Sequence, residues 1–87
     1  MRRKALIIGV LPSPFEGPWI PLGSGESWVY RPEVDYGGAV AIDVLSNGST
    51  TRHRLRGGDV VIRGDRARAV VLTDVAGVRI VTVNIYG

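Results

Sequence analysis

GGAVAIDVLSNGSTTRHRL, Gly37 to Leu55, is the stretch whose reading decides the fold. Val40, Ile42 and Val44 recur at every second position, the period of a strand with one buried face. Ser46-Asn47-Gly48 then breaks the alternation with residues that tolerate positive φ, as tight hairpin turns require. Ser49 to Leu55 runs back with β-branched Thr50 and Thr51, followed by Arg52, His53 and Arg54. The segment reads as a β-hairpin and carries no acid/base constellation, metal cluster or phosphate loop.

Upstream, Lys4 to Leu11 is a continuous apolar run and reads as a strand buried on both faces or capped at one edge. The stretch 12–25 is an irregular arm. Pro12, Pro14, Pro18 and Pro21 fix φ and remove backbone donors, which bars it from the centre of a sheet. Its Phe15 and Trp19 are expected to fold back as plugs over one end of the core, with contact to a partner as the alternative. Glu26 to Arg31 follows as a strand, with Trp28 and Tyr30 on one face and Val29 on the other. That pairing predicts a half-exposed cross-strand aromatic pair, and a stacking platform for sugars or bases is the functional alternative.

Downstream, Gly57-Gly58-Asp59 turns the chain into Val60 to Arg63, and Gly64-Asp65 turns it into Arg66 to Thr73. In the latter, Arg66, Arg68, Val70 and Leu72 share one face, and Ala67, Ala69 and Val71 the other. Asp74 to Gly77 makes a last turn. Val78 to Tyr86 is expected as the longest strand, with Val81, Val83 and Ile85 inward and Arg79, Thr82 and Asn84 outward. Seven or eight short strands at regular spacing, with no helical periodicity, predict an all-β fold. Residues 1–87 are read as one small antiparallel β-sandwich or barrel, jelly-roll-like. The strands Lys4 to Leu11 and Ala39 to Leu45 are expected at sheet edges.

Composition agrees. Glycine (12) and proline (5) suit many turns, and 45% apolar residues suit a packed core. With no cysteine, a disulfide framework and a thiolate metal site are both excluded, and synthesis in the cytoplasm is the default. The formal charge of +3 owes much to Arg2-Arg3-Lys4, without which 8 basic residues face 8 acidic ones. The opening MRRKALIIGVLPSP imitates a signal peptide, but its apolar run sits at the lower limit of about 7 residues and no clean cleavage site follows. It is far shorter than the roughly 20 residues of a membrane span, so it is read as the first strand.

Little here points to catalysis. The single histidine, His53, lies between two arginines, and Asp43 across the hairpin is its one candidate partner. Gly37-Gly38 and Gly57-Gly58 lead into no helix and no Lys-Ser/Thr, so they read as turns rather than phosphate cradles. Arg52, Arg54 and Arg56 alternate, as do Arg66 and Arg68, and a basic barrel face of this kind suits single-stranded nucleic acid. Interspersed Glu33, Asp59, Asp65 and Asp74, and the lack of aromatics in those strands, favour solvated or interfacial arginines instead.

The order of features resembles small β-sandwich proteins of tailed bacteriophage virions, which decorate or cement capsids or attach as short fibres. The matching residues are GPWIPLGSG (Gly17 to Gly25), Tyr36-Gly37-Gly38 before the alternating strand, and the Ser46 to Thr51 turn and return. The strand Arg66 to Val70 and the ending VTVNIYG (Val81 to Gly87) complete the match. The similarity spans Gly17 to Gly87; the basic N-terminal residues have no counterpart. It implies a structural virion protein, made in the host cytoplasm and located in the particle, with no catalytic residue, cofactor or metal. The partner it implies is the major capsid protein or another virion protein, alongside copies of the chain itself, with nucleic acid disfavoured and no membrane. Phe15, Trp19, Trp28, Tyr30, Arg52 and Arg54 are the expected partner-binding residues. The alternative is a small nucleic-acid-binding barrel led by the arginines.

Overall fold

Alternation dictates the faces and glycine the corners. Nine strands form among the described residues 2–23, 25–75 and 80–87 of the computed structural model: β1 (Arg3–Gly9), β2 (Phe15–Glu16), β3 (Ile20–Pro21), β4 (Ser27–Tyr30), β5 (Val40–Ser46), β6 (Ser49–Arg54), β7 (Val60–Arg63), β8 (Arg66–Val71) and β9 (Val81–Tyr86). They build two antiparallel sheets, one ordered β1-β9-β4-β7 and one ordered β2-β8-β5-β6, with β3 also on β8. The protein is a small all-β sandwich. Its longest strands are β1 and β5 at seven residues, against six for β9, and residues 78 and 79 lie outside the described set.

The hairpin forms as the sequence dictates. Asn47 and Gly48 both take positive φ (51° and 79°), the requirement of a two-residue turn matched to strand twist. Ser46 and Ser49 close it, and counting back sets Asp43 opposite Arg52 and Ile42 opposite His53. On its other side β5 pairs with β8, so β5 is a central strand and not the edge expected for Ala39 to Leu45. β1 is an edge, with a register shift between Ala5 and Ile7.

The core lies between the sheets. The first sheet supplies Ile7, Trp28, Tyr30, Ile62, Val81, Val83 and Ile85; the second supplies Val40, Ile42, Val44, Ala67, Ala69 and Val71. The expected inward sets of β5 and β9 are those observed, and of the two faces expected for β8 it is the one with Ala67, Ala69 and Val71 that turns inward. The arm 12–25 departs from expectation, because it contributes β2 and β3, each paired with the outer edge of β8. Between them Gly17 donates its N–H to the Ala69 carbonyl at 2.8 Å. A Cβ there would stand 2.9 Å from the same oxygen, so only glycine lets the arm lie this close.

One tyrosine replaces a missing strand. β4 accompanies β9 only at Tyr86 and Ile85, leaving the Thr82 backbone without a strand neighbour on that side. The buried Tyr36 hydroxyl donates to the Thr82 carbonyl (3.0 Å) and accepts from its N–H (3.1 Å). Tyr36→Phe is expected to leave both groups unbonded and to lower unfolding free energy by about 1–3 kcal/mol. Denaturant titration with an unchanged slope checks it.

Candidate interaction surfaces

The second sheet places a carboxylate where a hydrophobic residue is the ordinary choice. Asp43 sits on central β5, on the face turned away from the core, and is 1% exposed. Its cross-strand neighbours are Arg52 on β6 and Arg68 on β8. Arg52 grips it with two bonds, Nε to Oδ1 at 2.8 Å and Nη2 to Oδ2 at 3.1 Å, and Arg68 Nε adds a third to Oδ2 at 3.1 Å. Arg68 also pairs with Glu16 on β2 at 2.6 Å, while the Trp19 ring covers its guanidinium at 4.4 Å. The network therefore ties β2, β8, β5 and β6 together across one face.

Electrostatics fixes its protonation. Burial pushes the Asp43 carboxyl up, but the hydrogen bonds from Arg52 and Arg68, then their charges, outweigh it and hold the group below the ordinary carboxylate value. The same bond raises Arg52. An ionised carboxylate already holding three donors is a poor proton carrier, so the cluster reads as a fastening. The expected His53–Asp43 pair does not form, because the register sets His53 opposite Ile42.

The first sheet offers a contrasting outer face. Cross-strand rows there read Ser27, Arg63; then Arg3, Tyr86, Val29, Val61; then Ala5, Asn84; then Ile8, Thr82. Ile8 and Val61 are 63% and 64% exposed, and beyond the Ile8 end Val10 and Ile80 are 74% and 57% exposed. Asn84 Oδ1 is buried in this face with no hydrogen-bond partner among the described residues. No acidic residue lies on these rows. Polar Arg3, Thr82, Asn84 and Arg63 share this face, so its exposed aliphatics gather at two places, Ile8 with Val10 and Ile80 at one corner and Val61 at the other.

The expected partner residues divide. Trp28 and Tyr30 are 0% and 2% exposed, so they are core residues rather than a half-exposed pair or a platform. Trp28 Nε1 donates to the Leu22 carbonyl at 2.8 Å, and Arg2 and Lys4 cover its ring at 4.8 and 5.2 Å. The basic N-terminal residues thus serve the fold. Burial first, then Tyr36 and Glu33, push the Tyr30 hydroxyl up to about 12. Phe15, opposite Val71, packs partly buried against the core as expected, whereas Trp19 lies on the outer face of the second sheet and plugs nothing. Arg52 and Arg54 lie exposed on β6; Arg56 lies beyond that strand.

Sequence reasoning missed Ile8, Val10, Val61 and Ile80, because an apolar residue carries no label saying which side of a sheet it will occupy. It also missed the Asp43 network, although counting back from Asn47-Gly48 pairs residue 43 with 52. A cleft of about 270 Å³ near Leu11, Ser13 and Asp74 brings together no acid/base pair, and no group of three metal-ligating side chains occurs among the described residues. No helix there is long and apolar enough to cross a membrane. Comparison with known proteins finds no matching family model, no matching curated protein and no matching solved structure.

Proposed function

We propose that this chain is a non-enzymatic structural protein of a virus particle, which decorates or cements the shell through protein–protein contacts. The carrying observation is the set of exposed aliphatics on the open face of the first sheet, Ile8, Val10 and Ile80 at one corner and Val61 at the other, with no acidic residue between them. Its occupant in this reading is an apolar surface of a shell subunit. Fully burying an aliphatic side chain stabilises by roughly 1.5–3 kcal/mol, so a few such residues supply a useful share of a stable contact. The sandwich itself offers a rigid platform, since the polar network on its other side ties four strands together. The resemblance to phage decoration proteins supplies the identity of the shell.

The nucleic-acid reading is less well supported, because Arg52 and Arg68 are already engaged with Asp43 and Glu16. The two readings separate on substitution and salt. Ile8→Glu combined with Val61→Glu is expected to lower affinity for the particle by at least about 100-fold, because each buries an unpaired carboxylate in the contact. Each substitution is expected to change fold stability by no more than about 1 kcal/mol. Quantitative sedimentation of variant and wild type with empty shells checks this. Unchanged occupancy, or a steep log-linear loss with salt of the kind phosphate contacts give, would sink the proposal.

A further inference from the structure

The two sheets leave four edges, and three are blunted by their own geometry. β1 is broken by its register shift, and Gly17 of the arm lies beside the Leu6 carbonyl. β7 has only four residues, and β2 and β3 have two each in a proline-rich segment. β6 differs: it has six residues, no proline, and an unbroken register with β5. Short strands, bulges, prolines and charged side chains are the usual protections of an edge, and of these β6 has only the charges of Arg52 and Arg54.

Register shows which groups β6 leaves open. Ser46 and Ser49 close the turn, and Leu55 N–H bonds the Val40 carbonyl at 2.9 Å. In an antiparallel pair the bonding direction alternates, so Ser49, Thr51 and His53 face β5 while Thr50, Arg52 and Arg54 face away. Three N–H and three C=O groups therefore point off the sheet from exposed residues. This is the template that an added strand requires.

Charge selects the occupant. Arg52 and Arg54 stand on one face of this edge, and Arg54 makes no ion pair among the described residues; neither does Arg66, two strands away on the same face. The two carboxylates of that face, Asp43 and Glu16, are already taken. Pairing two copies of β6 over their full length would set Arg52 against Arg52, and like charges directly opposite destabilise a ladder. A neighbour with Asp or Glu at the position beside Arg54 meets an unpaired guanidinium, while Arg52 stays with Asp43. We propose that the free edge of β6 is a strand-acceptor site for an extended acidic segment of another protein. Thr50, Arg52 and Arg54 supply the main-chain bonds, and the Arg54 side chain, which no carboxylate engages among the described residues, sets the preference for acid. The site is on the sheet opposite the apolar face and stands whether or not that face docks on a shell.

The test uses the full chain and the peptide Thr-Val-Glu-Val-Glu-Val-Thr, with amide hydrogen exchange read residue by residue. One control peptide has lysine for each glutamate; another has alternate backbone amides N-methylated. The acidic peptide is expected to slow exchange at Thr50, Arg52 and Arg54 at least tenfold, with little change at Thr51 and His53. Neither control should do so, and Arg54→Glu should weaken the acidic peptide and admit the lysine one. Absence of binding, binding that leaves those three amides unprotected, or equal protection by the lysine peptide would each overturn the proposal. So would protection that grows with protein concentration alone, since it would mean that the edge is filled by a second copy.

Discussion

Replacing Asp43 by Asn is expected to destabilise the fold by about 2–4 kcal/mol, although the side chain keeps its size. The amide presents hydrogens where Arg68 or Arg52 now donates, and it leaves two guanidiniums against a neutral group. The figure stays below the 3–5 kcal/mol of a fully buried pair, since the Arg52 side chain is 44% exposed and reaches water. A chain of this length has roughly 4–13 kcal/mol to lose, so the shift in Tm should be at least about 8 °C. The pH dependence has a definite sign. A carboxyl held below its unfolded value contributes stability that is fully present above about pH 4 and is lost as pH falls through the lowered folded value. The gap between wild type and Asp43→Asn should therefore be constant from pH 7 to about 5 and narrow in acid. Thermal melts of both proteins across that range decide it; a gap that widens in acid would contradict the assignment.

The two tryptophans should behave oppositely. Trp28→Ala removes a fully buried side chain and its bond to the Leu22 carbonyl, and large-to-small changes of this kind cost about 3–5 kcal/mol. Much of the expected stability is gone at that point, and the variant should be largely unfolded on mild heating. Trp19→Ala removes a half-buried ring stacked on Arg68, a contact of about 0.5–2 kcal/mol. Urea titrations of the two variants side by side test which tryptophan closes the core. Equal losses would mean that Trp19 closes the core as much as Trp28 does.

How far these features could be read in the sequence depends on whether they are local. Val40, Ile42 and Val44, the Asn47-Gly48 turn, the division of β8 into two faces and the inward set of β9 were legible, since period-two burial and positive-φ residues act within a few positions. Trp28 and Tyr30 were placed on one face correctly, but alternation says which residues share a face and not which face is covered. Sheet order is what put them inside and left Ile8 and Val61 outside. The centrality of β5 was hidden for the same reason, as its pairing with β8 is a long-range choice. Asp43 misled because the nearest partner in chemical terms, His53, is one residue out of register with it, while two arginines on different strands are in register.

The most direct measurement of the central claim is the composition of intact particles. Virus particles purified from the source by density gradient should contain this polypeptide at a fixed ratio to the shell protein, as read by quantitative mass spectrometry. The ratio should survive repeated banding at high salt, because an apolar contact depends on salt only modestly. A polypeptide absent from intact particles, or present at a ratio that drifts toward zero with each banding, would contradict a structural role in the shell.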